Sequence, residues 1–310
     1  MHEFLNWQIS RINDITRLGN ERDSRILSGI GAKVIFIVYA PGIYTPAGGG
    51  CVALHKLAHN ISSLGEECYI MADSKNPAYK GTLINETDAK GIAALDNAIV
   101  IYPEVICGNP LNAKHVMRWV LYHVRQHGEF GIWGENDLIY KYAPFFELRL
   151  GGNVQGELRA MELNLDIWQN QNLPRWGSCH LYKKAGASKP DIHPENSFCL
   201  DEYPIKGGFE FLFNMFNRCE YFYSYDSATW LSIMAALCGC KSIVVPDTGV
   251  TALQWYNGFP YFKYGIAYGE SQLQHADCTA PLIRANLNGL DMDTINQTRA
   301  FINKAKEICK

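Results

Sequence analysis

The chain has 310 residues, of which 47% are hydrophobic, with 28 basic and 31 acidic side chains and a formal charge of −3. That length holds two domains of ordinary size with a buried core, and the near-neutral balance leaves no electrostatic footprint for nucleic acid as the main partner. Ten cysteines without framework spacing fit a reduced, cytoplasmic chain, and Cys238-Gly239-Cys240 is too tight for the usual zinc spacing.

Residues 1–29 interleave Arg11, Arg17, Arg22 and Arg25 with Leu5, Trp7, Ile12 and Ile15. This pattern suits a helical extension lying on the main body or on a second subunit, and so is compatible with a homo-oligomer. The apolar run over 26–40 is broken by Lys33 and glycines and is too short to span a bilayer. No signal-peptide pattern is legible.

Residues 34–38 read as a buried strand, followed by a loop over 41–50. A helix from Cys51 then puts Leu54, Leu57, Ala58 and Ile61 on one face, Gly65 stops it, and a strand follows over 68–72. Gly48-Gly49-Gly50 with Ala53 fits G-x-G-x-x-A, and Asp73 lies where a dinucleotide fold would hold a ribose, which makes a nicotinamide-dependent oxidoreductase a rival reading. Against it, seven residues separate Ala40 from Gly48, whereas the fingerprint needs its first glycine almost directly after the strand. A further strand covers 98–102, closed by Pro103-Glu104.

Beyond Pro110 the spacing of Ala113, Val116, Met117, Val120, Leu121 and Val124 predicts a helix with Arg118 facing outward. Residues 130–133 predict a short strand, Glu135 sits in a polar turn after it, and the alternation of Leu163, Leu165 and Ile167 predicts another strand. Residues 169–174 are polar, end in proline and suit an interdomain linker. Past it, Arg175 and the Lys183-Lys184 pair flank a predicted short strand. Residues 209–216 form an aromatic helix that reads as core.

The most informative stretch is 220–251. An aromatic strand over 221–224 enters the turn Tyr225-Asp226-Ser227-Ala228-Thr229, an apolar helix runs to Leu237, Gly239 ends it, and a β-branched strand follows. Small polar residues at a helix entrance leave amides pointing outward at the positive end of the helix dipole, which suits a phosphate or diphosphate. A glycine- and aromatic-rich loop with a short strand follows over 256–268, and Ile295, Ile302, Ala305 and Ile308 mark a final helix. Internal repeats and P-loop, G-x-S-x-G and H-E-x-x-H signatures are absent, and no D-x-D pair reads as a metal site.

The segment ending in Ala235-Ala236-Leu237-Cys238-Gly239 resembles the donor-binding unit of GT-B glycosyltransferases, and among them divergent relatives of the family 4-like polysaccharide enzymes of O-antigen and capsule synthesis. Asp226 then falls on the first position of their paired glutamates and Met234 on the second, where the resemblance implies a ribose-holding acid. Leu64-Gly65-Glu66-Glu67-Cys68 resembles the family's entry to its second strand, and the passage from Tyr102-Pro103-Glu104 to Asn109-Pro110-Leu111-Asn112 resembles the border of its acceptor cleft.

The resemblance implies an α/β fold with two Rossmann-like domains facing a cleft: an extension over 1–29, an acceptor-side domain over 30–168, a nucleotide-sugar domain over 169–290 and a helix over 291–310 that crosses back onto the first domain. It implies transfer of a sugar from a nucleotide-sugar donor to a glycan or lipid-linked glycan acceptor, in bacterial surface polysaccharide synthesis, without metal or other cofactor. Localisation would be cytoplasmic, compatible with peripheral contact at the inner membrane face.

Asp226 and Glu104 are the expected catalytic carboxylates, with Glu135 beside the acceptor. Gly49, Gly50, Arg175, Lys183, Lys184, Tyr225, Ser227, Ala228 and Thr229 are the expected donor contacts. Basic side chains suit that role because the leaving nucleotide gains negative charge as the glycosidic bond breaks. A non-catalytic sugar-binding protein is the other alternative, since Met234 cannot accept a ribose hydrogen bond as a carboxylate would.

Overall fold

Parallel strands alternate with helices along most of the chain, as the buried β-branched runs and amphipathic segments dictate. The computed structural model describes residues 33–45, 48–124, 133–144, 146, 148, 152–182, 189–201 and 208–309. The helical extension expected over 1–29 lies outside the described residues, and residues 34–309 pack as one unit.

The first sheet contains β1 (Ile35–Tyr39), β2 (Glu67–Met71), β3 (Thr82–Ile84), β4 (Ala98–Pro103), β5 (His115–Val120), β6 (Leu138–Lys141) and β7 (Asn153–Glu157). Its order is β3-β2-β1-β4-β5-β6-β7, with every neighbour parallel. Helix α1 (Gly49–Ser63) links β1 to β2, and α2 (Glu86–Ala93) links β3 to β4. Strand order reverses between β1 and β4. In open parallel sheets a crevice forms outside the carboxyl ends of the strands at such a point.

The second sheet contains β8 (Ser178–Leu181), β9 (Phe198–Cys199), β10 (Tyr221–Ser224), β11 (Lys241–Val244) and β12 (Ile266–Tyr268), ordered β12-β11-β10-β8-β9 and again parallel throughout. Around it lie α3 (Gly208–Arg218), α4 (Leu231–Leu237), α5 (Ala252–Gly258), α6 (Leu273–Thr279) and α7 (Ile283–Leu287). The reversal here falls between β8 and β10. The fold is therefore α/β with two Rossmann-like sheets, as expected from the sequence.

The last helix, α8 (Leu290–Ile308), packs on the first sheet. Phe301 is buried between the rings of Phe36, 5.7 Å away, and Tyr140, 5.3 Å away. Asn60 on α1 donates to the Thr298 hydroxyl at 3.5 Å, and Lys306 pairs with Glu66 at 2.6 Å.

Two expected elements are corrected, and a third lies largely outside the described residues. Residues 115–120 form strand β5 where a helix was expected, because a strand covered on both faces is apolar on both and its Val, Met and Trp residues match helical spacing by chance. Arg118, expected outward, is fully buried: its Nε donates to Asp137 Oδ2 at 2.6 Å, its Nη1 to the Ile106 carbonyl at 3.2 Å, and its guanidinium lies 5.0 Å from the Tyr102 ring. A buried guanidinium keeps its charge only with such partners. The strand expected at 130–133 falls largely outside the described residues, and the sheet is continued by β6. Residues 163–167 form no strand, and β7 lies ten residues earlier. Leu163 and Leu165 alternate because one side of an irregular segment packs on the core.

Candidate functional site

A cavity of about 180 Å³ opens where the two sheets' carboxyl edges approach each other. One wall comes from the β1 side: Tyr44 in the loop after β1, Gly49 and Val52 on the first turn of α1, and Tyr79. A second comes from the segment after β7, including Met161, Glu162, Asn164 and Trp168. The third is Thr229, Trp230, Leu231 and Met234 at the start of α4, with Phe209 of α3 beside it. The volume is below the roughly 300–1,000 Å³ of most ligand pockets, so this space alone is too small for a complete nucleotide sugar.

The wall on the second sheet is built by tight local bonding. Tyr225, Asp226 and Ser227 are all buried. Asp226 Oδ1 accepts from the Ala228 amide at 3.0 Å, Ser224 Oγ donates to the Asp226 carbonyl at 2.7 Å, and Trp255 Nε1 donates to the Ser227 carbonyl at 3.0 Å. The Leu231 amide donates to Thr229 Oγ1 at 3.4 Å, and Trp230 Nε1 donates to the Tyr142 hydroxyl of the first half at 3.1 Å.

These bonds revise the expected anion cradle. Amides that would face a diphosphate are in part engaged by the turn's own side chains, an Asx-type closure. Of the five entrance residues Thr229 alone lines the cavity, while Tyr225, Asp226 and Ser227 lie beneath it and Ala228 is half-buried. Across the cleft Tyr122, just past β5, has its hydroxyl held protonated first by burial and then by the charges of Asp226 and Asp247.

Lys189, a residue sequence reasoning passed over, clamps the strand ends below. Its Nζ donates to the carbonyls of Tyr225 and Val245, both at 2.8 Å, and pairs with Asp247 at 2.7 Å. One ammonium has three donors, and all three are in use, so Lys189 fixes the ends of β10 and β11 and has no donor left for a ligand.

The other expected residues separate. Gly49 lines the cavity, and Gly50 lies behind it, where a Cβ would stand 3.6 Å from Leu121. Arg175 is at the opposite edge of the second sheet, ahead of β8. Its Nη1 donates to the carbonyls of Phe216 at 2.8 Å and Cys219 at 3.0 Å, and its Nη2 to Asn170 Oδ1 at 3.0 Å and to the Cys238 carbonyl. A cation at two helix C-termini satisfies orphan carbonyls and opposes the dipole, so Arg175 is a capping residue and not a donor contact. Lys183 and Lys184 lie outside the described residues.

Glu104 is 4% exposed, and its Oε2 accepts from the Leu121 amide at 2.9 Å, so it secures the end of β5 rather than facing an acceptor. Glu135 is exposed on the turn ahead of β6, at the amino edge of the first sheet and away from the cavity.

The cavity's carboxylate is Glu162, which sequence reasoning missed. Lys56 on α1, nearly buried, pairs with its Oε2 at 2.9 Å. Burial alone would raise the Glu162 carboxyl, but the Lys56 hydrogen bond and charge, the Tyr79 hydroxyl and His59 together outweigh it and hold the carboxyl below its usual value. Behind Lys56, His55 is buried with neither ring nitrogen hydrogen-bonded. Its pKa is pushed down to about 4, chiefly by burial and then by Lys75.

No motif pointed to Glu162, because its neighbours read as a Leu-alternating strand. Lys56 sits on the side of α1 opposite the Leu54, Leu57, Ala58 and Ile61 face, where a lysine reads as solvated. Among the described residues no group of three or more His, Cys, Asp or Glu is placed to hold a metal ion, and no helix is long and apolar enough to cross a membrane.

No family model and no curated protein matches the chain. Among solved structures it is similar to the calicheamicin glycosyltransferase CalG4, with 11% identity over 89% of this chain and 98% of that one and a TM-score of 0.36. It is also similar to the spinosyn rhamnosyltransferase SpnG, with 12% identity over 89% of this chain and 96% of that one and a TM-score of 0.31. Scores of that size carry no argument about function. The class is defined by the chain's own topology: an α/β protein of two parallel Rossmann-like sheets with a cavity at their carboxyl edges.

Proposed function

We propose that the chain is a GT-B type glycosyltransferase that moves a sugar from a nucleotide-activated donor to a glycan acceptor. The observation that carries this reading is the cavity itself, walled by the opening turn of α1 on one side and that of α4 on the other, each following a switch-point strand. In transfer, the bond between the sugar's anomeric carbon and the diphosphate oxygen breaks with its electron pair going to the nucleotide. A new bond forms to the acceptor oxygen, whose proton leaves.

Thr229 and the start of α4 would face the diphosphate, with Lys183 and Lys184 as the cations that offset the leaving charge. Gly49 would lie against the sugar from the other side. A lipid-linked or surface polysaccharide acceptor, a metal-independent reaction and a cytoplasmic site at the inner membrane face belong to the same proposal. One observation favours a second reading, a non-catalytic sugar binder: Met234, at the position of the second acid, lines the cavity without a hydrogen-bond acceptor of carboxylate strength.

Calorimetry with UDP, GDP, CMP and dTDP sugars, followed by assay of released nucleotide, separates the readings. An enzyme binds one donor and releases its nucleotide at least slowly, while a binder retains it intact. Binding of NADH or NADPH instead, with no nucleotide sugar bound, would replace sugar transfer with the oxidoreductase reading.

A further inference from the structure

Four properties of the cavity are specific enough to name its ligand's chemistry. It holds about 180 Å³, room for roughly six waters at about 30 Å³ each, which is the scale of one monosaccharide ring. Its walls are rich in aromatic side chains: Tyr44, Tyr79, Trp168, Phe209 and Trp230. A single carboxylate, Glu162, enters it with its side chain 44% exposed, and the cation that neutralises it, Lys56, is 11% exposed and stands behind it. None of the described lining residues is Lys, Arg or His.

We propose that this cavity is the subsite for an uncharged pyranose, a deepening that rests on the sugar-transfer reading, and that Glu162 sets its selectivity by accepting hydrogen bonds from neighbouring sugar hydroxyls. A pyranose presents a face of C–H groups and a rim of hydroxyls. The aromatic walls receive the face, and a carboxylate that accepts from Lys56 and from the Tyr79 hydroxyl still keeps lone pairs for two donors on the rim.

The same arrangement rejects uronic and other acidic sugars. A ligand carboxylate would meet Glu162 in a partly desolvated space with no cation among the described lining residues to offset it, and like charges at such range are costly. Lys56 does not line the cavity: its ammonium stands behind Glu162, 11% exposed and paired with it at 2.9 Å. The Asn164 amide and Thr229 hydroxyl complete a rim that is polar but uncharged.

The test uses the full chain and free methyl glycosides, so that it does not depend on the nucleotide. Saturation-transfer NMR titrations compare methyl glycosides of glucose, galactose, mannose and rhamnose with methyl glucuronide and methyl galacturonide, on the native chain and on Glu162→Gln and Glu162→Asp. At least one neutral glycoside should bind tenfold or more tighter than either uronide. Glu162→Gln should narrow that ratio to within about threefold, and Glu162→Asp should keep it, with both variants folded at the titration temperature by circular dichroism.

Uronides binding as tightly as the neutral glycosides, a ratio indifferent to Glu162→Gln, or no glycoside bound at all would each overturn the subsite. Failure of the sugar-transfer reading is seen separately, as nucleotide sugars left unbound by a chain that still selects among methyl glycosides.

Discussion

His55 is buried with both ring nitrogens unpartnered, and its pKa lies near 4 instead of the usual value of about 6.5. The unfolded chain therefore takes up a proton near pH 6.5 that the folded chain refuses, so this residue's share of stability is complete above that pH and falls as pH drops toward 4. Replacing it by leucine removes that proton uptake and two unsatisfied polar atoms. His55→Leu should be within ~1 kcal/mol of the native stability at pH 7.5 and should lose less of its thermal midpoint between pH 7 and pH 5. Parallel midpoint curves for the two proteins would show that His55 is not the titrating group. Glu162, which lines the cavity, behaves oppositely: held low by Lys56, it stays ionised through the whole neutral range.

At the scale of elements, charges in this fold fasten ends. Lys189 joins the carboxyl ends of β10 and β11, and Arg175 joins the carboxyl ends of α3 and α4, where Gly239 takes φ +83° and a Cβ would stand 2.8 Å from the Arg175 guanidinium. Only glycine suits both that backbone and that approach. Arg175→Ala should cost about 2–4 kcal/mol, since it leaves several partly buried carbonyls without their charge-assisted donor, and should leave glycoside and nucleotide binding unchanged. Urea unfolding beside a binding titration checks both halves. Weakened ligand binding at unchanged stability would instead return Arg175 to the donor site.

For the molecule as a whole, α8 is the element that ties the far end of the chain to the first sheet. Phe301 fills the space between Phe36 and Tyr140, so Phe301→Ala should cost about 3–5 kcal/mol by transfer and cavity terms together. Because residues 34–309 pack as one unit, the loss should move a single transition, with tryptophan fluorescence and far-ultraviolet circular dichroism shifting together. Two separated transitions would show that the sheets unfold independently.

Much of the fold was legible in the residues. β1, α1, β2, β4, α3, β10, α4 and α8 each follow from a hydrophobic run or period, several of them bounded by a glycine or proline, because those signals are local and act on the chain directly. β5 was not, since a strand buried on both faces carries no period of its own. The site divides in the same way. That Gly49 and Thr229 border a cavity was legible because helix entrances next to parallel strands are written in consecutive residues. Glu162, Lys56, Trp168 and Lys189 were not, and Arg175 and Glu104 were placed wrongly. What a carboxylate or guanidinium does depends on which distant carbonyls, amides and charges come within about 3 Å of it, and that proximity is decided only when the chain has folded.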